Sequence, residues 1–176
     1  SFIMPVYKTE DFFEGVIKSI LDQDYKNLEI IVVADGKSDK AEEIFNRLQT
    51  DDNRLIKYVT IEHGGAPKAR NEGFKHSTGD YISFWDTDCV AEIGMTRMWA
   101  KAFIAYPDCS FVYSGYRFSS GMYLPSENFN PYLLTCYNYI ATMFPMKREI
   151  FPGFDESLES LQDWDMWIRI IKAGHK

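Results

Sequence analysis

Four short apolar runs, each closed by a polar or glycine-bearing turn, most constrain what this chain can become. They are Ser1 to Pro5, Leu28 to Ala34, Ile56 to Ile61 and Tyr81 to Trp85. The stretches between them have helical rather than alternating spacing. Phe12, Phe13, Val16, Ile17, Ile20 and Leu21 recur as one apolar helix face, with Thr9 as a cap and Glu10 and Asp11 in the first turn. Asp39 and Glu42 have the spacing of a capping box, ahead of a helix burying Ala41, Ile44, Phe45 and Leu48. Gly64-Gly65 breaks the chain, Pro67 suits the first turn of a third helix, and Ser77-Thr78-Gly79 closes it. Strands alternating with helices in this way predict an α/β fold, a three-layer α/β/α arrangement with a mostly parallel central sheet.

Such sheets bind ligands at the carboxyl ends of their strands. Asp35, the Gly64-Gly65 loop and Asp86-Thr87-Asp88 all fall there. If the chain stays extended, Asp86 and Asp88 point to the same side with Cα atoms ~7 Å apart. Two carboxylates so placed suit Mg²⁺ or Mn²⁺, and through the ion a phosphate. Asp35 can serve its own turn, or accept hydrogen bonds from a base or ribose. Lys68 and Arg70 follow the glycine pair in the first turns of a helix, where N–H groups and a cation favour a phosphate; an exposed helical face is the competing reading. Asp163, before Trp164, is either a first-turn acid stabilising its own helix or a general base.

The second part of the chain is less regular. Ile93 to Ala105 reads as a helix with Met95, Met98, Trp99, Ala102 and Phe103 on one face. Ser110 to Phe118 and Tyr139 to Met146 read as strands, Pro125 to Pro131 as a loop, and Gln162 to Ala173 as an amphipathic helix burying Trp164, Trp167, Ile168 and Ile171. Aromatic residues make up 16% of the chain. Most belong in a core, yet Tyr113, Tyr116, Tyr123, Tyr132, Tyr137 and Tyr139 lie in the irregular part and can also stack on sugar rings.

Composition removes several classes. The net charge of −7 argues against a nucleic-acid or anionic-membrane binder. Cys89, Cys109 and Cys136 form no CxxC pair and read as buried reduced thiols. His63, His76 and His175 lack ligand spacing. No apolar run is long enough for a membrane span, and no leader pattern opens the chain. The 176 residues read as one domain truncated at both ends, cytoplasmic, with any membrane anchor outside the segment. Residues 1–90 make the regular half and 91–176 the irregular one.

With these residues in hand, the chain resembles the family 2 glycosyltransferases of the GT-A, Rossmann-like fold. Ile3-Met4-Pro5-Val6-Tyr7 is similar to the family's first strand and turn, and Ile31 through Asp39 to its nucleotide-binding turn, with Ala34 in place of a first Asp. Gly65 and Lys68-Ala69-Arg70-Asn71-Glu72-Gly73 resemble its Ala-Arg-Asn-x-Gly segment. Ser77 through Asp88 resembles the strand leading to its DxD motif, and Leu161 through Arg169 its late Glu-Asp motif, with Gln162 for the Glu. Cys89 stands where the family often has a further Asp, which leaves two carboxylates for a metal.

The resemblance implies inverting transfer from a nucleotide-diphosphate sugar, a UDP-sugar first, to a glycan, lipid-linked or other hydroxyl acceptor in polysaccharide, glycolipid or envelope glycan synthesis. It casts Asp163 as the base and Asp88 with Asp86 as ligands of Mn²⁺ or Mg²⁺. Pro5, Tyr7, Asp35, Lys68, Arg70 and Asp86 would contact the donor, and residues 1–90 would form the nucleotide-binding half with 91–176 as the acceptor-binding half. Two rival readings are a catalytically silent nucleotide- or carbohydrate-binding domain and a haloacid-dehalogenase-type phosphatase with Asp86 as nucleophile.

Overall fold

The computed structural model describes residues 1–8, 10–49 and 54–176, and for residues 10, 11, 55 and 56 the backbone only. The Thr9 cap, the Glu10 and Asp11 side chains and the Ile56 side chain therefore lie outside the described residues.

The strands and helices alternate as expected through the first half. They are β1 (Phe2–Val6), α1 (Glu10–Leu21), β2 (Ile30–Asp35), α2 (Asp39–Gln49), β3 (Leu55–Ile61), α3 (Ala66–His76) and β4 (Tyr81–Phe84). Then come α4 (Met95–Ala105), a short hairpin of β5 (Tyr116–Arg117) and β6 (Tyr123–Leu124), α5 (Pro131–Cys136), β7 (Met146–Lys147), a 3₁₀ turn at Arg148–Ile150, and α6 (Gln162–Lys172). The main sheet runs in the order β3-β2-β1-β4-β7. Its first four strands are parallel, and β7 pairs antiparallel to β4 through Tyr81↔Lys147 and Ile82↔Met146.

Successive residues of a strand face opposite sides, and β1 uses both. Phe2, Met4 and Val6 join α1 and α2 in one core through Phe13, Val16, Ile17, Ile44 and Phe45. Ile3 joins a second core with Ile82, Phe84, Met166, Trp167 and Ile170. A strand buried on both sides needs apolar residues at every position, which is why β2 reads Ile-Ile-Val-Val-Ala without alternation. Each fully buried aliphatic side chain contributes about 1.5–3 kcal/mol of transfer free energy. Gly73 lets α3 lie close to this sheet, because a Cβ there would collide with Ile3 Cγ2 and meet Val33 Cγ2 at 3.0 Å.

Several expectations shift. Phe12 is 65% exposed, since the buried stripe of α1 is Phe13, Val16, Ile17 and Ile20 and Phe12 lies about 100° to its side. Met98 is likewise 66% exposed, one position off the Met95 and Trp99 stripe of α4. The second strand begins at Ile30, not Leu28. The cap of α2 is one residue earlier than expected: Ala41 N–H donates to Ser38 Oγ at 3.2 Å, and Asp39 is already helical. Of the strand expected over 110–118, only Tyr116–Arg117 is a strand, with Phe111 bridging Met146. The strand expected over 139–146 is reduced to Met146–Lys147, and the loop expected over 125–131 ends at Asn130, where Pro131 begins a helix, Pro131–Cys136. Phe111, Ile140 and Phe144 pack into the second core, with only Phe111 paired, by a single antiparallel bridge to Met146. In α6 the buried residues are Met166, Trp167 and Ile170; Trp164, Ile168 and Ile171 are partly covered. None of the cysteines is fully buried: Cys89 and Cys109 are half-buried and Cys136 is exposed, all as free thiols.

The loop after β4 is held in place by α1. Gln23 is wholly buried and satisfied: its Nε2 donates to the Ser19 and Glu92 carbonyls, and its Oε1 accepts from Thr96 N–H and Oγ1. Ser19 Oγ accepts from Ala91 N–H at 3.0 Å. Buried polar groups this fully paired fix one loop conformation rather than several. Among the described residues no helix is long and apolar enough to cross a membrane.

At the opposite end of the sheet Glu29 staples β2 to the α3–β4 turn. Its carboxylate accepts from Ser1 Oγ, Thr78 N–H, Gly79 N–H and Thr78 Oγ1. Burial pushes the carboxyl up, but the hydrogen bonds from Ser1, Thr78 and Gly79 outweigh it and hold it below its ordinary value. A lowered folded-state value means stability that is present above the unfolded carboxylate range, ~4.3, and lost as pH falls through the folded value. Glu29→Gln should therefore lower the urea midpoint at pH 7, and the gap to the parent protein should close on acidification below about pH 4. A gap that stays constant from neutral to acid pH would contradict this role.

Candidate active site

Asp35 ends β2 and is 3% exposed. Its carboxylate organises the next loop. Oδ1 accepts from Gly64 N–H at 2.7 Å, and Oδ2 accepts from Gly65 N–H at 2.9 Å and from His63 Nδ1 at 2.9 Å. A carboxylate only accepts, so Nδ1 carries the hydrogen here. Gly65 can follow this turn because its φ of +89° is open to glycine and strained for other residues. The clamp thus fixes the N-terminus of α3, and it also fixes His63, whose ring stacks on Tyr7 at 4.3 Å and 13°. Tyr7 and His63 form a half-exposed pair of flat rings on the carboxyl edge of the sheet.

Arg70, one turn into α3, is 7% exposed rather than on an open helical face. Its Nη2 donates to Asp86 Oδ1 at 2.8 Å and its Nη1 to Gln162 Oε1 at 3.4 Å. The guanidinium lies 5.3 Å from the centre of the Phe154 ring, and its buried Nε has no hydrogen-bond partner among the described residues. Lys68 does not join it; its Nζ donates to the Glu62 carbonyl at 3.2 Å, and its stem fills the space beside Gly64.

The Asp86-Thr87-Asp88 segment corrects the extended-chain expectation. Strand β4 stops at Phe84, and Cys89 N–H donates back to Asp86 C=O at 3.2 Å, closing a turn over 86–89. The two carboxylates consequently have different surroundings. Asp86 is drawn to Arg70, whereas Asp88 is exposed and its Oδ1 accepts from Cys89 Sγ at 3.5 Å. Burial, then the Asp88 and Asp86 carboxylates, push the Cys89 thiol up to about 12. A neutral thiol can donate its S–H to Asp88.

Asp163 sits in the first turn of α6, directly after Gln162. Its Oδ1 accepts from Trp164 N–H at 2.9 Å and its Oδ2 from Asn138 Nδ2 at 2.9 Å. Trp164 anchors the helix by donating Nε1–H to Leu134 C=O at 2.6 Å, and Asp165 is occupied by Arg169. Asp165 is therefore committed to its own helix, which leaves Asp163 as the acid at the helix end nearest Arg70.

The structure thus joins two of the expected positions, Arg70 and Asp86, by direct contact, and connects them through Gln162 to its sequence neighbour Asp163. Asp35 and Tyr7 share the same sheet edge through His63. Pro5 is half-buried in β1, and Lys68 stays apart. His63 and Asn138 were not singled out as site residues from the sequence. The glycine pair after His63 is a usable signal for the first; nothing in periodicity or composition marks Asn138. A groove of about 600 Å³ opens at the opposite edge of the sheet, lined by Leu28, Thr78, Asp80, Phe103 and Ile104 among others, and contains none of these acids.

Among the described residues no three His, Cys, Asp or Glu side chains cluster as a metal cage. The donor set fits a different arrangement: exposed Asp88 and half-exposed Asp86 suit a hard divalent ion that takes its other ligands from water and a diphosphate.

A mostly parallel sheet with a two-carboxylate turn at its carboxyl edge, tied through Arg70 and Gln162 to the start of the later helix that carries Asp163, is the arrangement of a GT-A-type fold. The model for Glycosyl transferase family 2 matches residues 1–154, and the chain belongs to that family. It is 35% identical over 123 residues to glycosyltransferase GlyA of Streptococcus pneumoniae, covering 69% of this chain and 18% of that protein. It is 30% identical over 195 aligned positions to the uncharacterised glycosyltransferase RC0461 of Rickettsia conorii, covering 99% of this chain and 31% of that one. In structure it is similar to S. aureus TarS 1–349 in complex with UDP-GlcNAc, at TM-score 0.79 and 20% identity over 96% of this chain and 52% of that one. It is also similar to the mannosyltransferase PcManGT of Pyrobaculum calidifontis in complex with GDP-Man and Mn²⁺, at TM-score 0.76 and 21% identity over 99% and 52%. The chain spans 18% to 35% of the length of the first curated relatives it matches. Family membership displaces the phosphatase reading of Asp86.

Replacing Asp35 by Asn should test the clamp. Asn offers one acceptor oxygen to three donors, so at least one backbone N–H faces an NH₂ group at a cost of about 1–3 kcal/mol. The urea midpoint should fall correspondingly; an unchanged midpoint would show that the loop is held by other means.

Proposed function

We propose that this chain is the catalytic domain of an inverting glycosyltransferase that uses a nucleotide-diphosphate sugar, with a UDP-sugar as first choice, and a hydroxyl acceptor. One observation carries the reading: the buried Arg70 guanidinium reaches from Asp86, in the turn after β4, to Gln162, the residue before Asp163. A donor-binding edge and a carboxylate suited to take a proton are thereby held in one site. The UDP-GlcNAc and GDP-Man complexes of TarS and PcManGT support a nucleotide-sugar donor for this fold.

In this mechanism the Tyr7–His63 pair offers a flat surface to the base, and the Asp35 clamp holds that surface rigid. Arg70, with one buried N–H unpaired, balances negative charge near the diphosphate and keeps Asp86 in place. Asp86 and Asp88 would hold Mg²⁺ or Mn²⁺, which neutralises charge on a departing diphosphate. Asp163 accepts the proton of the acceptor hydroxyl as its oxygen forms a bond to the anomeric carbon. The bond from that carbon to the diphosphate oxygen breaks on the opposite face, and the electron pair leaves with the nucleotide. Attack opposite the leaving group inverts the anomeric configuration. A polysaccharide, glycolipid or envelope glycan is the product class this reading favours.

Asp163→Asn should reduce sugar transfer by at least about a hundredfold, the range of lost general-base catalysis, while leaving donor binding intact. Donor binding is read separately as thermal stabilisation by UDP or GDP with and without Mn²⁺. Undiminished turnover in this variant would remove Asp163 from the base role. Absence of stabilisation by any nucleoside diphosphate in the parent protein would overturn the donor assignment.

A further inference from the structure

Every residue from 117 to 132 is exposed, yet the segment carries Phe118, Met122, Tyr123, Leu124, Phe129 and Tyr132. Met122, in the turn between β5 and β6, is 59% exposed, and Tyr132 is 74% exposed. The backbone beneath these side chains is fixed. Tyr116↔Leu124 and Arg117↔Tyr123 pair β5 with β6, while Phe118 N–H donates to Met122 C=O and Gly121 N–H to Phe118 C=O, both at 2.9 Å. Arg117 donates from Nη1 to Gly121 C=O at 3.1 Å and lies 5.5 Å over the Tyr123 ring. Farther on, Tyr113 donates its hydroxyl to Glu127 C=O at 2.9 Å. The Tyr139 hydroxyl donates to Asn130 C=O and accepts from Asn130 N–H, both at 3.0 Å. A loop free to rearrange would turn its apolar side chains inward; this one is hydrogen-bonded into a shape that holds them out in water.

The hairpin rises on the same edge of the sheet as the acids. Val112 N–H donates to Pro145 C=O, Lys147 N–H donates to Ser110 C=O, and Phe111 bridges Met146 in the antiparallel sense. Since β7 is itself antiparallel to β4, the chain leaving Ser110 runs in the direction of β4, toward the carboxyl edge that bears Asp86 and Asp88. Val90 and Ile93, which follow Asp88, are exposed as well.

Charge and shape narrow what covers this surface. From Cys109 to Met146 the only charged residues are Arg117 and Glu127, in a chain whose net charge is −7. A specific protein partner is held in register by a polar, complementary rim, and it needs a recess that fits a protruding turn. A fluid lipid surface needs neither. Phenylalanine, methionine and leucine enter the acyl boundary, and tyrosine hydroxyls stay at the level of the headgroups. An electrically neutral stretch suits zwitterionic headgroups, whereas the negative chain as a whole is repelled by an anionic surface.

We propose that residues 116–132 form an interfacial docking surface for a zwitterionic membrane, with the turn from Phe118 to Leu124 as the inserted element. Docking in this way brings the carboxyl edge of the sheet to the lipid. The proposal does not depend on Asp163 being the base.

The test floats the whole 176-residue chain with vesicles of phosphatidylcholine alone and of phosphatidylcholine mixed with phosphatidylglycerol. The chain should float with the first and no better with the second. Phe118→Ser combined with Leu124→Ser should lower partitioning at least about tenfold, the scale of two apolar side chains withdrawn from lipid. Met122→Asp, a single change at an exposed position, should lower it by a similar factor. Thermal scans should show both variants melting with the parent chain and responding to UDP with Mn²⁺ as it does. Absence of flotation, flotation of Met122→Asp equal to the parent's, or flotation only with phosphatidylglycerol would overturn the proposal. Lipid-free dimerisation that Met122→Asp abolishes would assign the surface to a second copy of the chain and overturn it as well. Undiminished transfer by Asp163→Asn would remove the base and leave flotation untouched, so the two readings fail separately.

Discussion

A single buried guanidinium joins the two parts of this molecule. Arg70 leaves α3 beneath the sheet edge and contacts Asp86 on one side and Gln162 on the other. Removing a charge from water costs several kcal/mol unless it is paired, so an arginine in this position requires both partners to stay where they are. Asp86 holds the turn after β4 against α3, and Gln162 holds the first turn of α6 against the same arginine. Gln162 is neutral, so the charge of Arg70 is committed to Asp86 and to whatever anion reaches the edge.

Around that bridge, each wall of the site is fixed by a separate device. Asp35 gathers His63, Gly64 and Gly65 and thereby sets the start of α3, from which Arg70 projects. Ser19 and Gln23 pin the segment after Asp88 to α1. Asn138 and the Leu134 carbonyl hold the beginning of α6 through Asp163 and Trp164. Most of these hydrogen bonds run to backbone groups, while His63–Asp35 and Asn138–Asp163 join side chains, and Asp88, Tyr7 and His63 stay exposed.

Much of the first half was legible because its signals are local. The Ile-Ile-Val-Val run, the Gly64-Gly65 break with Pro67, and the apolar face of α2 each encode one element within a few residues. The turn at 86–89 was not legible, because nothing in Asp-Thr-Asp distinguishes an extended exit from a turn closed by Cys89 N–H. The strands expected over 110–118 and 139–146 failed for a related reason. Phe111, Ile140 and Phe144 carry the apolar residues of a strand, but they bury them against α6 and β4 without a partner ladder. At the site, Asp35, Arg70, Asp86, Asp88 and Asp163 could be singled out by residue type and place. That Arg70 is buried, that Lys68 turns away to Glu62, and that Asn138 touches Asp163 depend on contacts more than sixty residues apart or on loop geometry.

The central claim is that Arg70 makes one site of the sheet edge and α6. A double-mutant cycle on Asp86→Asn and Gln162→Met, read by urea unfolding, tests it most directly. The account predicts that the two changes are coupled by about 0.5–3 kcal/mol, and that the coupling vanishes in an Arg70→Met background. Simple additivity of the two substitutions in the parent protein would contradict it.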